Sequence, residues 1–123
     1  MLREIRNTRQ VPGEPPRRWF FAHDQDLLVW LGEDNRPVAF QLAYGKYRAE
    51  RAVRWKKATG FRHYEVDAGI DGREQPLLMP DGPFDAAGVL DGFLALSGEV
   101  PRDIVEFVAE QLRRHPEYQA PQR

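Results

Sequence analysis

Apolar and polar positions alternate through the first half of this chain, then recur every three to four positions through its last third. Two arms stand out, DLLVWLG and VAFQLAY, split by the polar break EDNRP. Leu27, Val29 and Leu31 alternate with Leu28 and Trp30; Val38, Phe40, Leu42 and Tyr44 alternate with Ala39, Gln41 and Ala43. Period two on β-branched and aromatic residues, interrupted by turn formers, predicts a β-hairpin. An aromatic strand over 17–22 (RRWFFA) leads into it through His23, Asp24 and Gln25. After a turn at Gly45 and Lys46, residues 47–57 alternate again. Tyr47, Ala49, Arg51, Val53 and Trp55 fall on one face, and Arg48, Glu50, Arg54 and Lys56 on the other. A second turn at 58–60 leads to a strand over 61–67. Consecutive strands with short connections predict an antiparallel meander, a sheet that can leave one face to water.

Residues 68–84 are rich in Gly, Asp and Pro and read as a long loop, with room for a short strand at the apolar 76–79. Asp85 is placed to cap a helix over 86–97, with Gly98 as its stop. Val89, Leu90, Phe93, Leu94 and Ser97 share a face of that helix, and Gly88 and Gly92 are expected to admit the close approach of another backbone. Pro101 opens a second helix that runs to about His115, with the stripe Ile104, Val105, Val108 and Leu112 edged by Phe107. Asp103 and Glu106 near its start, and Arg113, Arg114 and His115 at its end, suit the helix dipole. Residues 1–16 read as a polar edge strand over 2–8 or a loose arm, and 117–123 as a frayed tail. The expected fold is therefore α+β and a single domain over 1–123: an antiparallel meander of four to five strands, packed on one face by two carboxy-terminal helices. Its expected core takes Trp19, Phe21, Leu27, Val29, Leu31, Val38, Phe40, Leu42, Val53 and Trp55 from the strands. The helices add Val89, Leu90, Phe93, Leu94, Ile104, Val105, Val108 and Leu112.

Composition narrows the chemistry. A chain of 123 residues can bury a core without a metal or a disulfide. It contains no cysteine, which excludes disulfides, thiolate catalysis and cysteine-ligated metals, and fits a reducing cytoplasm. Neither a signal-peptide-like apolar run nor a stretch approaching ~18 apolar residues is present, so a soluble cytoplasmic protein with no membrane contact is expected. The net charge of -1 conceals a split: 13 Lys/Arg against 7 Asp/Glu over 1–64, and 5 against 12 over 65–123. Two solvated surfaces that attract each other, within one fold or between subunits, account for that split more economically than a nucleic-acid-facing half.

Each candidate for chemistry has a plainer counterpart. His63, Glu65 and Asp67 alternate on one strand and could ligate a metal, helped by Asp71 and Asp81 from the long loop. No HxH, HExxH or DxDxDG spacing supports them, and a solvated polar face explains them better. Ser97, the only serine, sits at a helix end, where a hydroxyl usually bonds backbone, and no triad order is present. There is no phosphate-cradling glycine loop; DGPFDAAG precedes a helix, but Asp81 and Asp85 would repel an anion. No cofactor is implied. Lys46, Arg48, Arg51, Arg54, Lys56, Lys57 and Arg62 fall in one hairpin with Tyr47, Trp55, Phe61 and Tyr64, the mixture of cations and rings that binds single strands. Of these, Arg48, Arg54, Lys56, Lys57, Arg62, Trp55 and Tyr64 are the candidate nucleic-acid contacts, although alternation turns Trp55 away from Arg54 and Lys56. Lys and Arg stems covering a solvated sheet face are the plainer account. A protein partner or self-association is suggested by the sheet edges, the glycine-bearing helix and the charge split. The sequence thus reads first as a non-catalytic binding or protein-interaction module, second as a nucleic-acid-contacting protein, and third as a small metal-dependent enzyme.

The segments LREIR, PGEPPRRWF, FQLAYGK, ERAVRW, GFRHYEVDAG and PDGPFD resemble a family of short conserved hypothetical proteins from proteobacteria, along 2–112. That resemblance implies a bacterial cytoplasmic protein and carries over no activity, cofactor or site residue.

Overall fold

The computed structural model describes residues 1–46, 50–67, 77–80 and 84–119, and the side chains of these except at 64–67 and 77–80. Among the described residues seven strands precede two helices: β1 (Arg3–Glu4), β2 (Arg17–Phe21), β3 (Gln25–Leu31), β4 (Pro37–Tyr44), β5 (Arg51–Lys56), β6 (Gly60–Asp67), β7 (Leu77–Pro80), α1 (Ala86–Leu96) and α2 (Arg102–Arg113). The strands form one sheet in sequence order, β1 to β7, with every neighbouring pair antiparallel. The α+β class and the meander are as the pattern predicts. Four to five strands was an undercount: the two-residue β1 and the four-residue β7 extend the sheet at its edges.

The central hairpin turns where EDNRP predicts. Asn35 takes a left-handed φ of 59°, and the Gly32 amide donates to the Arg36 carbonyl at 2.7 Å. Gly60, at φ 77°, closes the turn between β5 and β6, a conformation that favours glycine.

Cross-strand pairs divide the sheet into two faces. On the helix side, Phe20, Leu27, Leu42 and Val53 lie in one row and Val29, Phe40, Trp55 and Phe61 in the next. The first four, with Val29 and Phe40, are fully buried. Leu90 and Phe93 of α1, and Ile104, Val108 and Leu112 of α2, pack on them. One part of the expected core is corrected. In β2 the buried ring is Phe20; Trp19 is half-buried on the far face, and Phe21 is 43% exposed. With three aromatics in succession, period two alone cannot choose the inner one; the pairing of Phe20 with Leu27 does. Leu94 is also 37% exposed rather than buried.

Residues 1–16 are no loose arm at their start. Leu2, absent from the expected core, is fully buried, and its amide donates to the Leu96 carbonyl at 2.8 Å, tying β1 to the end of α1. Asp85 caps α1 by accepting from the Gly88 amide at 3.0 Å. The two glycines of α1 do not admit another backbone. A Cβ at Gly88 would strike the Asp85 carboxylate, and one at Gly92 would meet the buried Gln25 side chain of β3 at 3.4 Å.

Candidate functional site

The far face of the sheet carries the basic side chains of the β5–β6 hairpin. Trp19, Leu28, Gln41, Arg54 and Arg62 form one cross-strand row; Arg17, Trp30, Ala39 and Lys56 form the next. Both helices lie on the opposite side, so these rows are the surface on which α1 and α2 do not pack. Trp19, Leu28 and Trp30 are half-buried; Lys56, Lys57 and Arg62 are exposed. Among the described residues, Lys56, Lys57 and Arg62 have no ion-pair partner. Arg54 donates from Nε to Gln41 Oε1 at 2.9 Å, a bond to a neutral amide that fixes the guanidinium over β4. The carboxylate of the neighbouring row, Asp26, pairs with Lys46 Nζ at 2.8 Å and accepts from Trp19 Nε1 at 3.3 Å. Lys46 also lies 4.3 Å from the centre of the Phe21 ring. The face therefore offers indole rings beside Lys56, Lys57 and Arg62, which no carboxylate among the described residues neutralises.

A cleft of about 370 Å³ opens at one end of this face, bordered by Glu14, Pro15, Trp30, Ala39, Lys56 and Lys57. Trp30 and Ala39 are opposed residues of β3 and β4, and Ala39 is opposed in turn by Lys56. The Lys57 amide donates to the Val38 carbonyl at 2.9 Å, which holds the end of β5 beside β4, and the Thr59 amide donates to the Lys56 carbonyl at 3.2 Å in the turn that follows.

Of the candidate nucleic-acid contacts, Arg54, Lys56 and Arg62 share the open face, with Lys57 at its rim. Trp55 does not belong with them. The pleat turns it to the helix side, where it stacks on Phe40 at 6.2 Å and meets Phe107 of α2 edge-on at 5.2 Å. Tyr64 stands opposite Ala52 in the register, and Arg48 lies outside the described residues. Two rings from outside that hairpin, Trp19 of β2 and Trp30 of β3, accompany the cations. The signal available was alternation itself: Leu28 and Trp30 are out of phase with the apolar set of β3.

His63 faces the helices. Its Nε2 is hydrogen-bonded to the Tyr44 hydroxyl, and its ring lies 4.6 Å from that of Phe84. The side chains of Glu65 and Asp67, and the whole of Asp71 and Asp81, lie outside the description; among the described residues no three potential ligands gather to hold a metal. The Ser97 hydroxyl donates to the Leu94 carbonyl at 3.0 Å.

His115 sits beside His63, edge-on to Phe61 at 4.7 Å and to Phe84 at 4.6 Å. Its Nδ1 accepts from the Glu117 amide at 3.0 Å, which requires that nitrogen unprotonated. Burial pulls His115 below the ordinary histidine range; the Glu117 carboxylate opposes this and His63 adds to it. The unfolded chain then binds a proton more readily than the folded one, so stability is lost as pH falls below about 6.5 and on through the lowered folded value. The melting temperature is expected to fall more steeply between about pH 7.5 and 5 in the native chain than in a His115→Gln variant, as read by thermal denaturation across pH. Equal slopes would remove His115 as the cause.

No helix of the described residues is long and apolar enough to cross a membrane. No family model, curated protein or solved structure matches the chain.

Proposed function

We propose that this chain is a non-catalytic binding module that takes single-stranded nucleic acid across the open face of its sheet. The observation that carries the reading is the sharing of one face by Arg54, Lys56 and Arg62 with the half-buried Trp19 and Trp30. Cations attract phosphates whatever the sequence, and indole faces stack bases whatever their identity. Neither group transforms what it binds. A duplex would bury its bases away from these rings, so a single strand is the better partner. The absence of cysteine suits a reducing compartment, where such a ligand is found.

A protein partner is the second reading, and the exposed apolar side chains favour it less. The exposed large apolar side chains among the described residues, Met1, Val11, Phe21 and Leu94, come from four separate segments of the chain.

The test is a titration of fluorescent single-stranded RNA and DNA, at low salt and then at rising salt. Binding is expected at low salt and should weaken steeply as salt increases, because condensed counterions are released on binding. Trp30→Ala is expected to weaken binding by roughly tenfold, the stacking contribution of one base. No binding even at low salt would overturn the proposal and turn the search to an acidic protein partner.

A further inference from the structure

We infer that the cleft beside Trp30 is a base pocket that prefers guanine, with Glu14 as the residue that reads the base. The inference rests on the open face taking single-stranded nucleic acid, and adds a specificity that stacking and charge alone would not give.

The cleft is bounded by fixed parts. Gly13 takes a left-handed φ of 85°, and the Glu14 amide bonds the Val11 carbonyl at 3.1 Å, so the chain reverses just before the wall. Pro15 and Pro16 follow with their restricted φ, and the Leu31 amide donates to the Pro16 carbonyl at 2.8 Å, pinning the wall to the end of β3. Glu14 and Pro15 therefore stand beside Trp30 on one side, while Lys56, Lys57 and Ala58 stand on the other. The volume, about 370 Å³, suits a single base with part of its sugar.

The border pairs one carboxylate with two cations. Among the described residues Glu14 has no ion-pair partner, and neither has Lys56 or Lys57. An acid at the edge of a phosphate-binding surface weakens attraction for every nucleotide alike unless it contacts the base. A carboxylate only accepts hydrogen bonds. Guanine presents two adjacent donors on its Watson–Crick edge, the ring N1–H and the N2 amine, which match two carboxylate oxygens. Adenine and cytosine offer one amine beside a ring acceptor. Uracil offers one N–H between two carbonyls, which a carboxylate repels. A base stacked on Trp30 with its edge toward Glu14 leaves its phosphate toward Lys56 and Lys57.

The experiment uses the full chain and short uridine oligomers carrying one central guanine, inosine, adenine, cytosine or uracil, titrated by fluorescence anisotropy. The guanine oligomer is expected to bind roughly tenfold or more tightly than the all-uridine one, the discrimination of one good bidentate contact. Inosine, which lacks the N2 amine, should lose most of that gain. Glu14→Gln should level the series while retaining, or slightly raising, affinity for the all-uridine oligomer. Equal binding of all five would overturn the guanine pocket and leave the nucleic-acid reading standing. A preference that survives Glu14→Gln would overturn the role of Glu14. If none binds, the open-face reading falls and the pocket falls with it.

Discussion

Replacing Phe40 with alanine is expected to cost about 3–5 kcal/mol of folding stability, the range for truncating a fully buried phenylalanine. The side chain is fully buried on β4, between strands on either side. Its ring lies 6.2 Å from that of Trp55, 6.3 Å from Phe61 and 6.4 Å from Phe107. Those partners come from β5, β6 and α2, so the cavity would open where the sheet meets the second helix. Rings held by three separate backbones cannot all close in on the gap, which places the cost toward the upper end of the range. The melting temperature should fall by ~10 °C or more. Urea unfolding with the midpoint lowered and the slope unchanged would confirm that the native contacts were lost. A loss below about 1 kcal/mol would mean that Phe40 does not join the sheet to α2 as described.

The second large effect concerns ligand and not stability. Lys56→Glu combined with Arg62→Glu is expected to lower affinity for single-stranded nucleic acid at low salt by more than a hundredfold, because each change removes an attraction and adds a repulsion. The dependence of log affinity on log salt should become shallower by roughly 1.4, the value for two phosphate contacts on a single strand. Both side chains are exposed, so the melting temperature should barely move. That separation is the check: binding lost with folding intact assigns the effect to charge on the open face. Retained affinity would place the ligand elsewhere on the molecule, or remove it.

How much of this was legible beforehand differs by element. The meander and both helices follow from period two, period 3.6 and their punctuation, because burial on one face writes that pattern directly into the sequence. The inner ring of β2 was not legible. Trp19, Phe20 and Phe21 are all acceptable to a buried row, and only the register with Leu27 separates them. Leu2 was missed because its burial comes from α1, about ninety positions later in the chain, and leaves no local periodicity. The cations of the candidate site were legible as a cluster in one hairpin, and alternation set Trp30 on the face opposite Val29, but nothing local joined that ring to the cations. Trp55 is adjacent to them in sequence yet lies on the opposite side of the pleat. Trp19 and Trp30 are remote in sequence and reach the same surface only through cross-strand pairing. The Glu14 wall depends on a reversal at Gly13 and a single backbone bond to Leu31, neither of which has a hydrophobic signature.

The order of the elements has a consequence for how the protein is made. Every strand pairs with the strand just before it, so the sheet can assemble progressively as the ribosome extends the chain. Both covering helices come last. Until both helices have left the exit tunnel, the row Phe20, Leu27, Leu42 and Val53 lacks its full cover and stands open to solvent. A nascent chain stalled after β7 would expose that whole row at once, a natural target for a ribosome-bound chaperone. Synthesis rate across the two helices, more than across the sheet, should then govern how much of the protein reaches its folded form.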